Sequence, residues 1–488
     1  WVEREEREVG RGAARANGDG VRRAEGALAA AERLRIGVGA PLDAVVQSKK
    51  TLDSLSRALG SLGTTTTTAA TTTTKTTPAC LRPAVGENGS SPTLTVFVYG
   101  ATGYTGQLIC RHAAAMPGLR VVPAGRSAPK LASLARDLQH LGAAIAPSVC
   151  LDLGDASAID AALEGVGVVV HCAGPFATTF EPMVAACVRN RVHYVDINGE
   201  IAVIEAIAQR FGQQAKERGV MLLPAAGFDV VPSDTLSKLL ADAFRKKYPH
   251  DDDDDDGDGG DGKVSSGEGN LTRGQDECGD VHLDIYFHFN EAGALISRGT
   301  GNVMKGGKRG VSVTRRDGRI LESQAKAVPV RERRKCNFGP AAGGKEMTVK
   351  PANMADVASA YYSTGIGNIA CFMSDVASMN QLKCVLTPFS ETSDTRNTKG
   401  QPIGPSAAEN DTGKAFLFGS VYRAEGAELV TGRLECPAPY KVTYLAVGHI
   451  LQQVAARKVA SGFQTPTTAY GEAFLDACDM TWQLESRN

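Results

Sequence analysis

The stretch Val96-Phe-Val-Tyr-Gly-Ala-Thr-Gly-Tyr-Thr-Gly106, "VFVYGATGYTG", decides the reading of this chain. It opens as a β-branched and aromatic run and then breaks into Gly100, Gly103 and Gly106, three residues apart. A dinucleotide fold needs glycine at such a turn. One permits the tight turn, one lets the backbone approach a pyrophosphate, and one lets the following helix pack on its strand. The helix N-terminus then offers unpaired N–H groups and a partial positive charge to phosphate. The spacing here is GxxGxxG, so the glycines count because a strand precedes them and a helix follows. The residues expected to line this cradle are Gly100, Thr102, Gly103, Tyr104, Thr105 and Gly106.

Downstream the pattern keeps alternating. Strands are expected at Leu94 to Tyr99, Leu119 to Ala124, Ser148 to Leu153, Gly167 to Cys172, His193 to Ile197 and Val220 to Pro224. Amphipathic helices are expected at Tyr104 to Met116, Lys130 to Leu141, Ala156 to Leu163, Pro182 to Asn190 and Val203 to Arg218. Short apolar strands alternating with helices imply a parallel sheet covered on both faces. The expected fold class is therefore α/β, a Rossmann-type doubly wound parallel sheet, with a second α+β domain after it.

The second strand ends in Ala124-Gly-Arg-Ser127. An NAD site usually carries an acidic residue there for the ribose 2′-hydroxyl. Arg126 and Ser127 instead suit a 2′-phosphate, with Lys130 near enough to assist. The expected cofactor is NADP(H) rather than NAD. Asp152 ends the third strand, either as a polar group facing adenine or as a helix cap. Small residues in His171-Cys-Ala-Gly-Pro-Phe176 leave room for the cofactor, with Ala173, Gly174 and Pro175 beneath the nicotinamide end.

Two low-complexity tracts divide the 488 residues: Thr64 to Thr77, leading to Pro92, and Asp251 to Gly262. The expected organisation is an N-terminal extension and threonine-rich linker over 1–92, then a cofactor domain over 93–236. A substrate or dimerisation domain follows over 237–436, with an acidic insertion at 249–278. A C-terminal helix and tail over 437–488 pack back on the core. The insertion reads as a solvated loop, since its carboxylates lack the spaced ligands of a calcium loop. Glu391 to Gly413 reads as a surface loop. Val281 to Phe289 alternates like a half-exposed antiparallel strand, and another strand is expected from Gly310 to Thr314. Val442, Ala446, Ile450 and Val454 mark an amphipathic helix.

A net charge of −1 gives no electrostatic reason to expect nucleic acid. Eleven cysteines without CxxC pairs point to free thiols in a reducing, intracellular compartment and to no metal site. No apolar run is long enough to span a bilayer. The extension is rich in Ala, Arg and Glu, and its acidic residues argue against an organellar transit peptide. Cytoplasm or a lipid-droplet or membrane surface is the expected location, with mitochondrion or plastid as the alternatives.

Taken together, "YGATGYTG", "AGRS", "HCAGPF", "HYVDINGE", "LLPAAGFDVVPSD", "SRGT", "TGIGNI" and "GFQTPTTAYG" resemble the saccharopine dehydrogenase-like oxidoreductases, including their trans-acting enoyl reductase branch. The resemblance covers most of the chain after the threonine tract, and "HYVDINGE" with "GFDVVPSD" carries it most specifically. It implies an NAD(P)-binding domain, a second α+β domain, and reduction of a C=C or C=N double bond. It also implies a small-molecule or lipid-like substrate, association with lipid droplets or membranes, and a homodimer. The chain departs in its extension, its acidic insertion, and Gly367 where relatives often have proline. The lysine-pathway reaction does not carry over.

A reductase needs a proton donor beside the atom that does not receive hydride. Asp196, Glu200 and Tyr194, at the end of the fifth strand, are the expected candidates, with His193 beside them. Asp196 and Glu200 suit local capping equally well. Asp229, Ser233 and Asp234 are expected at the cleft or, for the last two, at a helix N-cap. Arg298 is a candidate anchor for an anionic group. The competing reading is a non-catalytic nucleotide-binding scaffold on lipid surfaces.

Overall fold

The computed structural model describes residues 94–139, 145–249, 280–294, 296–297, 300, 311–324, 334–374, 404–423 and 429–485. The extension, the threonine tract, the acidic insertion and Arg298 lie outside the described residues.

The first half of the chain gives β1 (Leu94–Tyr99), α1 (Tyr104–Ala114), β2 (Leu119–Gly125), α2 (Ala128–Gln139), β3 (Val149–Cys150) and α3 (Ala156–Ala162). It continues with β4 (Val168–His171), α4 (Phe176–Asn190), β5 (His193–Asp196), α5 (Ile201–Arg218), β6 (Met221–Leu223) and α6 (Val231–Lys247). The expected domain boundary after residue 236 falls inside α6.

These strands form a seven-stranded sheet in the order β15-β6-β5-β4-β1-β2-β3, every pairing parallel. The order reverses between β1 and β4, the switch point at which such sheets bind ligands beyond their carboxyl ends. Its edge strand β15 (Gly462–Phe463) comes from near the end of the chain. Gly462 N–H donates to Val220 O at 2.7 Å and Gln464 N–H to Leu222 O at 2.8 Å.

The second half gives β7 (Val281–Phe289), β8 (Val311–Arg316), β9 (Arg319–Gln324), β10 (Lys335–Asn337), β11 (Glu346–Pro351), α7 (Asp356–Thr364) and β12 (Asn368–Ser374). Then follow α8 (Ala407–Thr412), β13 (Lys414–Arg423), β14 (Leu429–Pro437), α9 (Pro439–Ala455), β15, α10 (Pro466–Tyr470), α11 (Phe474–Ala477) and β16 (Thr481–Glu485). The mixed second sheet runs β10-β11-β12-β7-β13-β14-β16, with the β8–β9 hairpin on β12.

Strand β7 is a correction to the sequence reading. It pairs parallel with β12 and antiparallel with β13, and most of its residues are buried. Alternation misled because the polar positions Asp284 and His288 are buried too, paired with Arg334 and with Ser374. Residues Ala407–Thr412, expected in a loop, form α8. A capping box between Ser406 and Glu409 starts it.

The alternating side chains of β1 explain the layers. Val96 and Val98 face a core that passes through α1, α6 and α9 to Leu283, Ile285 and Phe287 of the second sheet. Phe97 and Tyr99 face the opposite core with α3, α4 and α5. A layer of helices therefore joins both sheets through one continuous apolar interior, and the cofactor half is braced by the second half.

Candidate functional site

Beyond the carboxyl ends of the parallel strands lies a cavity of about 800 Å³. Its first wall is the glycine turn. Gly100 has φ +83°, and a Cβ there would lie 2.8 Å from the backbone of Cys172 and Ala173. A Cβ on Gly106 would lie 2.3 Å from Gly100 O. Gly100 thus lets the β1 and β4 loops meet, and Gly106 seats α1 on the turn. Gly103 is the N-cap of α1 and supplies no side-chain cap. The helix therefore opens into the cavity with amide donors suited to phosphate.

Gly100, Thr102, Gly103, Tyr104, Thr105 and Gly106 all line this wall, together with Arg126, Ser127 and Lys130 at the β2 end and Ala173, Gly174 and Pro175 at the β4 end. The hydroxyl of Tyr104 is already engaged. It donates to Pro405 O at 2.5 Å and accepts from Asn410 Nδ2 at 2.6 Å. Its ring meets Tyr440 edge-on at 4.9 Å. Asp152 does not line the cavity. Its Oδ1 accepts from Gly154 N at 2.8 Å, closing a local turn, while Asp155 caps α3 through Ala158 N.

The three expected proton-transfer residues do not line the cavity either. Asp196 is fully buried beneath it. Its Oδ1 accepts from Asn198 N at 2.9 Å, Asn198 Nδ2 at 2.7 Å and Ala225 N at 2.8 Å, and its Oδ2 from the Tyr194 hydroxyl at 2.8 Å. Burial raises the Asp196 carboxyl above its ordinary value, against the pull of these bonds. Tyr194 is also fully buried, and burial raises its hydroxyl well above its usual range. Glu200 caps α4, accepting from Phe176 N at 2.7 Å and Ala177 N at 2.9 Å. Its own N–H donates to Asn198 Oδ1 at 2.9 Å.

His193 sits at the opposite, amino end of β5. There Nδ1 accepts from Met221 N, and burial lowers the ring to about 4. Ser233 and Asp234 are neither in the cleft nor at a cap. The N-cap of α6 is Val230, and Asp234 accepts from the backbone and hydroxyl of Thr467.

Asp229 does reach the cavity. Residues 220–237 are all buried except Asp229, and among the described residues it supplies the only carboxyl in the cavity wall. Its Oδ2 rests where a Cβ on Gly199 would come within 2.5 Å, so a side chain at 199 would push the carboxylate out of this position. The protein packed around its carboxyl takes water away from the charged form and raises it from 3.8 to about 6.

Around it are groups that the sequence reading missed. Phe228, Phe289, Ile296, Met354 and Met373 form an apolar chamber, and Phe228 and Phe289 touch with ring centroids 5.5 Å apart. Tyr440 and Thr443, from the first turns of α9, add hydroxyls. The Tyr440 hydroxyl accepts from Ser297 N and lies 3.0 Å from Thr300 Oγ1. Thr443 Oγ1 accepts from Phe228 N at 3.0 Å and fixes the Asp229 loop. These residues come from strands and helices far apart in the chain, so no local spacing announces them.

Arg126 follows β2 and Asp229 follows β6, four strands apart in sheet order. At the usual strand spacing that is on the order of 19 Å. The cavity is thus long, cationic at one end and apolar with one carboxyl at the other. Among the described residues no cluster of His, Cys, Asp or Glu suits a metal, no helix is long and apolar enough to cross a membrane, and the cysteines are free.

Residues 96–223 match the family described as the saccharopine dehydrogenase NADP binding domain. A lipid droplet localized protein of Caenorhabditis elegans is 35% identical over 163 residues, 32% of this chain and 37% of that protein. A saccharopine dehydrogenase-like oxidoreductase of Rattus norvegicus is 32% identical over 28% of this chain and 35% of its own length. A trans-acting enoyl reductase of Mycobacterium leprae is 34% identical over 28% of this chain and 33% of its own length. The matched region spans about a third of the curated relatives.

Proposed function

We propose that this chain, which belongs to the saccharopine dehydrogenase-like family through its residues 96–223, is an NADP-dependent reductase acting on a C=C, C=N or C=O bond of an apolar, lipid-related substrate. One observation carries the reading. The glycine turn, the cationic β2 end and an apolar chamber with a single carboxyl open into the same cavity.

The chain's residues fit the cofactor. The α1 N-terminus and the Gly100 to Gly106 turn would hold the pyrophosphate, Arg126 and Ser127 the 2′-phosphate, and Ala173 to Pro175 the nicotinamide end. When bound, NADPH supplies a hydride. Glu200 stiffens the Ala173 to Phe176 loop through its bonds to Phe176 and Ala177. The apolar chamber excludes water from the reacting bond, which strengthens every charge interaction within it. The name of the nematode relative supports a lipid-surface location for this chain as well.

Calorimetric titration is expected to show tighter binding of NADPH than of NADH, and Arg126→Ala is expected to erase most of the difference. A charge-assisted hydrogen bond is worth about 1.5–3 kcal/mol, so the preference should shrink roughly tenfold or more. Equal affinity for the two cofactors in the parent protein would overturn the assignment. For the reaction, NADPH oxidation is measured with enoyl thioesters, long-chain enals and ketones, and cyclic imines. Cofactor binding without oxidation in any class would leave the nucleotide-binding scaffold as the function.

A further inference from the structure

The loop between β6 and α6 carries a side chain for which the fold makes unusual provision. From Val220 to Ser237 only Asp229 is exposed, and it lines the cavity. The loop is pinned on both sides. Asp196 receives Ala225 N–H on its carboxyl and Ala226 N–H on its backbone carbonyl at 2.7 Å, while Thr443 receives Phe228 N–H. Ala225 holds φ +58°, a left-handed conformation costly for a residue with a Cβ. The same Asp196 anchors Asn198, which precedes Gly199, the residue that makes room for the Asp229 carboxyl. Among the described residues the Asp229 carboxyl makes no hydrogen bond or ion pair.

We propose that the Asp229 carboxyl is the proton donor for reduction in this cavity, with Asp196 as the positioning residue that aims its loop. This rests on the reductase reading. The substrate double bond takes a hydride, with its electron pair, at one atom. At the other atom it takes the proton of the Asp229 carboxyl as the π bond opens. The substrate gains two electrons and two hydrogens, the reduced nicotinamide loses two electrons and one hydrogen, and the aspartate left behind regains its proton from water. The chamber favours this role because its apolar wall stabilises the neutral acid between turnovers. Asp356 from α7 and Tyr440 from α9 are the titratable groups whose charge reaches Asp229, and burial raises both above their ordinary values, favouring their neutral forms.

The test compares the whole protein with Asp229→Asn in three measurements. Difference infrared spectra over pH should show a carboxylic acid band, absent from the variant, with a midpoint near 6 rather than near 3.8. NADPH affinity and melting temperature should be unchanged. Turnover with the most active compound of the panel should fall about 10²-fold or more. In the parent, kcat/KM should fall as pH rises through about 6, because the donor must be protonated, and the variant should lose that limb. Gly199→Ala, which crowds the carboxyl without removing it, should lower turnover at least tenfold at unchanged NADPH affinity. It keeps the question open to measurement should the Asn variant misfold. A band with an ordinary aspartate midpoint, or an Asn variant within tenfold of the parent rate, overturns the donor assignment alone. A parent that binds NADPH but reduces nothing overturns the reductase reading, and the assignment with it.

Discussion

Asp196→Ala is expected to unfold the protein about 3 kcal/mol more easily, while Asp196→Asn folds and keeps its turnover within tenfold. The alanine variant leaves four donors with no acceptor: the Tyr194 hydroxyl that Oδ2 served, and the three that Oδ1 served, Ala225 N–H, Asn198 N–H and the Asn198 amide. A buried donor stripped of its partner costs about 1–3 kcal/mol, and Ala225 N–H and Asn198 N–H are both deep in the structure. The drop in melting temperature should be on the order of 5 °C. Asparagine preserves the acceptor that serves those three donors. Its amide nitrogen then faces only the Tyr194 hydroxyl, which rotates to accept, so the loss is about 1 kcal/mol. A catalytic acid behaves oppositely: both variants would stay stable and both would lose turnover. Thermal melts and NADPH oxidation on the same two proteins separate the roles, and a stable, inactive Asn variant would return Asp196 to the chemistry.

Gly106→Ala is expected to weaken NADPH binding about tenfold to a hundredfold and to lower the melting temperature, whereas Gly103→Ala leaves the fold of the turn intact and acts only on the space open to phosphate. The two glycines look equivalent in sequence. In the structure a Cβ at Gly106 lies 2.3 Å from Gly100 O and 3.0 Å from Ala101 Cα, both parts of the main chain that cannot swing aside. The first turn of α1 must then lift off the loop that receives phosphate. Overpacking of this kind costs about 1–3 kcal/mol, and each 1.4 kcal/mol is a factor of ten in affinity. At Gly103 the nearest atom is Gly100 O at 3.3 Å, and φ is −73°, open to any residue. Thermal melts of both variants decide the matter, and equal losses of stability would show that the turn is not held by the Gly106 contact.

The parallel sheet was legible because its signals are local. Leu94 to Tyr99 bury both faces, and three glycines at one turn have few other uses. The role of Asp196 was not legible from its neighbourhood. A carboxylate at a strand end either faces the cleft or turns inward to loop amides, and the same residue type serves both. What decides is Ala225 N–H, 29 residues away. Asp229 was named among the cleft candidates, but its special standing depends on Gly199, Phe289 and Tyr440, which come from three distant segments. Strand β15 escaped notice because two residues carry no periodicity; only the exposed flank of β6 makes Gly462 and Phe463 a strand.

That late strand has a consequence for how the protein is made. A ribosome that has released β6 must add about 240 more residues before β15 emerges, roughly ten to fifty seconds at 5–20 residues per second. Until then the carbonyls of Val220 and Leu222, which later accept from Gly462 and Gln464, are bare at the edge of a sheet already able to assemble around its glycine turn. An uncovered edge of this kind recruits other strands. The nascent chain is therefore most exposed to mispairing while its second half is being synthesised, and chaperone capture during that interval should concentrate on chains stalled between β6 and β15.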